Sequence, residues 1–411
     1  MNRTGRAAFG IALAALVAIP SIVQAKVIPY TSIAARGHVL LGSIEVSEAA
    51  GLGRLELHDE TAAVLQRDEG IVALVDVSNP QKPNVLGRYD DDARQSLDGD
   101  LAFSTDGQWL FYARQTVQFS LDGVHVIDVS DPTAPSLHSY QPGGGALRIA
   151  HYDDGTDEWV VLMDAITGLV VYRFEPTTGV LVPVHASPLP ATAKVGGPAS
   201  AGIVIQEDPI EKRALLYAAS GGSGLEVFDF SDPTSPILLG SWADVGLAEI
   251  EVRVTGKKRT VFGASEYWFD PQLRPEIVRL DATNLGAIKQ RGAMHLNCPA
   301  EDRYRVQGMA FSGKDLYAAH SSVGLMAYWD NWDYSFSTFA PFARGARNEL
   351  AGVLEGPYLF DVEADGDRLY ATDAATGILS IIERTASFTR DDAAFNNPTA
   401  ARKARCLKNL S

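Results

Sequence analysis

Chemistry-bearing side chains recur at the ends of short segments of alternating apolar residues. Arg67, Arg114, Asp164, Glu266, His320 and Asp373 close one set of predicted strands, and Asp100, Arg148, Glu249 and Arg305 stand near the starts of another. Guanidinium and carboxylate groups brought to one place bind polar ligands through charge-assisted hydrogen bonds. Their mixed signs point to a polar small molecule or peptide rather than to a metal cage. The same groups would also be satisfied by hydration or by pairing with one another across a water-filled channel. A loop reading SEYWFDPQLRP adds Tyr267, Trp268 and Phe269, aromatics that either pack on a rim or meet a partner. The candidate ligand-binding set is therefore Arg148, Asp164, Glu249, Glu266, Tyr267, Trp268, Arg305, His320 and Asp373.

No residue pattern specifies catalysis. The chain has no GxxxxGK phosphate loop, HExxH zinc motif, CxxC pair or GxSxG nucleophile elbow, and Gly221-Gly222-Ser223-Gly224 runs on into Leu225 as a turn. His58, His151 and His320 lie near strand ends and would bind a transition metal only if separate strands converged. No local spacing supports that, and they read as solvated or hydrogen-bonded histidines. The acidic run Asp90 to Asp92, with Asp98 and Asp100, lacks EF-hand spacing and reads as a solvated loop. No catalytic residue, metal or cofactor is assigned.

The elements that must position these groups are repeats. Three segments match closely: GIVALVDVSNPQKP from Gly70, GVHVIDVSDPTAP from Gly123 and GLEVFDFSDPTSP from Gly224. Looser copies begin at Gly168, Pro275, Gly324 and Gly377. The spacing of roughly 45 to 56 residues suits a propeller blade. Hairpins precede several copies, as in LAFSTDGQWLFYAR, GMAFSGKDLYAAH and LFDVEADGDRLYATD, with Asp-Gly or Ser-Gly at the turn. A fourth strand follows each Asp-Pro turn, as in PNVLGRYD and PILLGSWAD. Such thin sheets, with strands ordered A to D, bury their apolar faces only against neighbouring sheets. The expectation is an all-β chain: a seven-bladed β-propeller of four-stranded antiparallel blades over residues 26–388. A strand over residues 38–46, HVLLGSIEV, would complete the last blade and close the ring; an open solenoid is the alternative.

In such a ring, loops B–C and D–A share one face, and the A strands line a central channel. The candidate residues would meet at that channel's mouth. Repeated Asp76, Asp128 and Asp229 would stand far apart around the ring, so they read as turn formers. Asn79, Asp131 and Asp232, each before Pro, read the same way. Aromatics from Tyr328 to Phe342 read as packing between blades.

ALVDVSNPQKP, HVIDVSDPTAP and EVFDFSDPTSP resemble the repeat of the LVIVD family, whose apolar run ends in Asp and leads into Ser, Asn or Asp, and Pro. The remaining copies have lost the Asp-Pro turn. The resemblance implies an exported bacterial β-propeller and carries no catalytic residue over to this chain. Two functions follow. The first is a non-enzymatic binding or protein-interaction scaffold for a protein, peptide or small polar ligand. The second, by fold analogy alone, is a hydrolase or lyase with a polar site at the channel mouth.

The 411 residues carry 35 Lys and Arg against 51 Asp and Glu, a formal net charge of −16. No basic stretch follows a phosphate backbone, which excludes nucleic acid as a partner. Arg3 and Arg6, the apolar run Ala7 to Ile19 and Val23-Gln24-Ala25 predict a signal peptide over residues 1–25, cleaved after Ala25. The run is too short to span a bilayer, and no later run suits a transmembrane segment. The expected location is periplasmic or extracellular. There, Cys298 and Cys406 are expected to form a disulfide. Closing a loop of roughly 100 residues is worth about 4 to 5 kcal/mol in the chain-entropy model. That bond would tether a tail over residues 389–411 to the loop face.

Overall fold

Strands buried on both faces read as near-continuous apolar runs, and Trp109 to Ala113 shows how such a run divides its side chains. Leu110 and Tyr112 enter one core cluster, whereas Phe111 and Ala113 enter another on the opposite side of the same sheet. The computed structural model describes residues 31–32, 38–48, 51–67, 69–90, 96–116, 123–188, 201–220, 224–265, 277–294, 306–320, 324–329, 349–355 and 359–386. The expected signal peptide, both cysteines with their expected disulfide, and the tail over 389–411 lie outside these residues.

Among the described residues the first strands are β1 (Thr31–Ser32) and β2 (His38–Glu45). Then come β3 (Leu52–His58), β4 (Thr61–Gln66), β5 (Ile71–Asp76) and β6 (Asn84–Asp90), a meander of neighbouring antiparallel strands. The pattern repeats in β7 (Ser96–Phe103), β8 (Trp109–Thr116), β9 (Gly123–Asp128) and β10 (Ser136–Pro142), and in β11 (Ala146–Asp153), β12 (Glu158–Asp164), β13 (Gly168–Glu175) and β14 (Val180–Ser187). It continues in β15 (Ala201–Asp208), β16 (Arg213–Ser220), β17 (Gly224–Asp229) and β18 (Ile237–Trp242), then in β19 (Leu247–Thr255), β20 (Lys258–Ser265), β21 (Ile277–Asp281) and β22 (Lys289–Met294). Next are β23 (Val306–Ser312), β24 (Asp315–His320), β25 (Gly324–Trp329) and β26 (Glu349–Glu355). Last are β27 (Leu359–Asp365), β28 (Arg368–Asp373) and β29 (Ile378–Arg384).

The expectation of seven four-stranded blades needs correction: six sheets are four-stranded. The β23–β26 sheet has five strands, because β1 pairs with the outer edge of β26, Thr31 opposite Glu355 and Ser32 opposite Leu354. The repeat pattern around Gly324 carries no signal for this extra strand, which comes from the far end of the sequence.

The inner strands pack on one another in the order β3, β7, β11, β15, β19, β23 and β27, and β27 returns to β3. The circuit is closed by chain ends: β2 pairs antiparallel with β29, His38 opposite Arg384 and Glu45 opposite Ile378. One core cluster unites Val46, Leu52 and Val64 with Tyr370, Leu379 and Ile381 across that junction. Each fully buried Leu, Ile or Phe contributes about 1.5 to 3 kcal/mol of transfer free energy, so the interfaces between sheets, rather than any single sheet, hold the ring.

The repeat motif builds the outer clasps. Ser78, Ser130 and Ser231 donate backbone N–H bonds of 2.9, 3.0 and 3.0 Å to Asp76, Asp128 and Asp229. Gln81, Thr133 and Thr234 do the same for Asn79, Asp131 and Asp232 at 3.1, 3.0 and 3.0 Å. These are Asx turns, and two of them, like the turn at Leu285, dock on glycines in the outer strand of the preceding sheet. A Cβ on Gly42 would lie 2.2 Å from Pro80 O, one on Gly87 2.4 Å from Pro132 O, and one on Gly240 1.8 Å from Leu285 O. Where Ser139 stands instead, its hydroxyl donates to Gly179 O at 3.0 Å.

A buried ion pair adds a further tie. Arg259 on β20 donates from Nε and Nη2 to Asp208 on β15 at 2.8 and 2.6 Å, the bidentate geometry that a planar guanidinium favours.

Candidate functional site: the mouth of the central channel

Each inner strand places one residue at the channel mouth and follows it with an apolar core residue. The mouth residues are Arg54, Asp100, Arg148, Gly202, Glu249, Gly308 and Asp361, followed by Leu55, Leu101, Ile149, Ile203, Ile250, Met309 and Val362. A register irregularity lies just before Arg148, Glu249, Gly308 and Asp361, which then pair with Met163, Ala264, Ala319 and Thr372.

Arg54 reaches across the ring. Its Nη1 lies 2.8 Å from Glu249 Oε2 on β19 and 3.3 Å from Asp361 Oδ1 on neighbouring β27. Arg148 Nε approaches the same Glu249 oxygen at 3.8 Å, and its Nη1 donates to Leu147 O at 2.8 Å. Glu249 therefore lies between two guanidinium groups. Two aspartates tie adjacent inner strands: Leu55 N donates to Asp361 Oδ2 and Ile149 N to Asp100 Oδ2, both at 3.0 Å. Gly308 admits this arrangement, since a Cβ there would lie 1.8 Å from Asp361 Oδ1. Phe360 flanks the cluster, with the Arg54 guanidinium 5.7 Å and that of Arg67 4.4 Å from its ring centroid.

Two residues further along the strands, about 7 Å deeper, Glu56, Glu251 and Glu363 form a second layer. These groups are half-buried, and the enclosing protein disfavours charge on them. Burial, then Glu249 and Asp361, push Glu251 up to about 8. Burial and neighbouring carboxylates hold Glu56 and Glu363 well above the usual range. Asp100 is pushed up to about 6 by burial, which outweighs Arg148 and Arg54. Asp361 is likewise raised by burial despite its contact with Arg54.

The structure thus joins Arg148 and Glu249, two of the residues expected from sequence. Asp164 instead accepts backbone N–H bonds from Gly144, Ile166 and Thr167 at 2.7, 2.9 and 2.7 Å. Asp373 accepts from Ala375 and Thr376 at 2.7 and 3.0 Å. Both carboxylates hold their own B–C turns. His320 ends β24 with its backbone paired to Val306, while Glu266, Tyr267, Trp268 and Arg305 lie outside the described residues.

The histidines do not share one end of the ring. His58 lies beside the A–B turn, with Nε2 3.1 Å from Thr105 O. His151 pairs with Glu158 at 2.7 Å across the β11–β12 hairpin. Among the described residues, no group of three or more His, Cys, Asp or Glu is placed to hold a metal ion.

Arg54, Glu56, Glu251, Asp361 and Glu363 are the members that sequence reasoning missed. Their signal was the register already given by Arg148-Ile149 and Glu249-Ile250, which recurs as Arg54-Leu55 and Asp361-Val362.

Sheets of four antiparallel strands, packed in a closed circuit around a charged channel, define a β-propeller. The chain carries the LVIVD repeat, whose family model matches residues 67–91, 119–140 and 215–244. Among solved structures it is similar to the β-propeller domain of Cps50 (Swd1) from Myceliophteria thermophila, at 15% identity and TM-score 0.55, covering 85% of this chain and 100% of that one. Sqt1 of Saccharomyces cerevisiae gives 11% identity and TM-score 0.55 over 85% and 99% of the two chains. Hydrazine synthase of Kuenenia stuttgartiensis gives 16% and 0.55 over 83% and 97%. Likeness at these identities is a likeness of fold. No curated protein matches the chain. Among the described residues, no helix is long and apolar enough to cross a membrane.

Proposed function

We propose that this LVIVD-repeat propeller is an exported, non-enzymatic binding or interaction scaffold that engages a protein, peptide or small polar ligand through its B–C loop face and channel mouth. The observation supporting this reading is the Arg54–Glu249 contact of 2.8 Å across the channel. It gathers charged groups from distant inner strands at one polar mouth, the kind of surface that polar recognition uses. Asp164 and Asp373, two acids expected at this face, are engaged with their own turns. Export rests on the basic start, apolar run and Val23-Gln24-Ala25.

The test is a quantitative pull-down with the full exported chain, comparing wild type with a Tyr267→Ala, Trp268→Ala double variant. The scaffold reading expects at least one bound partner to be lost. An unchanged set of partners counts against it.

A further inference from the structure

Three guanidinium groups stand in a row at the mouth. Arg67 and Arg54 both face the ring of Phe360, at 4.4 and 5.7 Å. Arg54 and Arg148 both approach Glu249 Oε2, at 2.8 and 3.8 Å. Arg148 is 8% exposed, and its buried Nε donates no hydrogen bond; the buried Nε of Arg67 likewise donates none. Buried N–H donors without acceptors are rare and costly, and they mark places where an acceptor belongs. Glu249 Oε2 also lacks hydrogen-bond geometry despite its short contact with Arg54, so the carboxylate between the two guanidiniums is close but poorly aligned.

We infer that the Arg67, Arg54 and Arg148 row is a seat for a ligand carboxylate, which draws Arg148 and Arg67 into aligned hydrogen bonds while Glu249 gives way. This deepens the scaffold reading and rests on it, because it names the ligand chemistry of that same mouth. The ligand class follows from the molecule itself: the group between Arg54 and Arg148 is already a carboxylate, and the planar guanidinium fork matches two coplanar oxygens. Charge favours the same class. Arginine stays protonated throughout the physiological range, whereas burial pushes Glu251 up to about 8 and raises Glu56 and Glu363 as well, which disfavours negative charge in the second layer. A large negative potential from those glutamates is thereby avoided.

The experiment is thermal unfolding of the full exported chain titrated with succinate, with inorganic phosphate and agmatine as parallel probes. Succinate is expected to raise the midpoint with its concentration. Its apparent affinity should fall at least tenfold in Arg148→Gln and in Arg67→Ala. Phosphate and agmatine should produce no comparable rise. The inference is overturned by a midpoint indifferent to succinate, by an equal response in both variants, or by phosphate or agmatine matching succinate. If Arg148→Gln does not fold, Arg67→Ala decides alone, since that side chain is only half-buried and stands outside the Arg54–Glu249–Arg148 contacts. Failure with succinate leaves the scaffold reading standing, because loss of partners in the aromatic-loop variant tests that separately.

Discussion

Arg54 and Glu249 meet at 2.8 Å although β3 and β19 are as far apart as the inner circuit allows. Their side chains are 6% and 14% exposed, so the pair is nearly dry. Removing one partner of such a pair leaves an uncompensated charge, which costs about 3 to 5 kcal/mol. Arg54→Ala is expected to lower unfolding stability by that order in urea titrations. A double-mutant cycle with Glu249→Ala should return a coupling above about 1 kcal/mol. Additive single effects would show that the contact carries no energy.

The glycine clasps divide substitutions sharply. Gly240→Ala forces a Cβ to within 1.8 Å of Leu285 O, a backbone atom that cannot swing aside. The expected loss is about 1 to 3 kcal/mol. Gly286→Ala meets nothing closer than 3.6 Å and is the matched control, expected to change stability by less than about 0.5 kcal/mol. Thermal unfolding of the two variants side by side checks the contrast.

His125 makes the ring sensitive to acid. It is 5% exposed, hydrogen-bonded through Nδ1 to Tyr89 Oη at 2.8 Å, and pushed down to about 4 by burial and by Arg114. Between pH 6.5 and 4 the unfolded chain binds a proton that the folded chain refuses, so stability falls as pH falls through that window. The loss is on the order of 3 kcal/mol. Denaturant midpoints measured from pH 7 to 4 should flatten in His125→Gln; an unaltered slope would assign the acid sensitivity elsewhere.

Glu251 acts in the opposite direction. Its folded value of about 8 lies above the ordinary 4.5, so the folded chain keeps a proton that the unfolded chain releases. Its stabilising contribution is complete below pH 4.5 and is lost as pH rises through 8. Glu249 and Asp361 are the charged groups acting on it, and Glu56 and Glu363 share the channel. Glu251→Gln should remove part of the decline expected of wild type between about pH 5 and 8, read by the same denaturant titration.

Much of the fold was legible because the repeat carries its own mechanism. Alternating apolar residues fix which face of a strand enters which interface, and the Asp-Ser and Asp-Pro positions fix the turns, as at Asp128 and Asp131. The added strand β1 was not legible: its pairing with β26 is made by backbone groups of Thr31 and Ser32, which impose no side-chain pattern. At the mouth, Arg148 and Glu249 stood out as charges at strand starts. Arg54 did not, because it lies in the stretch between Leu52 and Leu55 that the pairing skips, and Asp361 did not, because it is one of several acids in LFDVEADGDR. Asp164 looked like a ligand group for the same reason that it serves a turn: a carboxylate at a strand end accepts the nearest free N–H groups.

The pairing of β2 with β29 sets the order in which this protein can be made. Residues 38–45 emerge from the ribosome long before their partner at residues 378–384. Until then the early strand has no bed to lie in, and the β3 edge stays bare of its β27 neighbour. A truncated chain from a premature stop before Ile378 would keep most of its sheets and still lack the seam, presenting sticky borders to other copies. Cells would meet such fragments as aggregation hazards rather than as weakened versions of the whole.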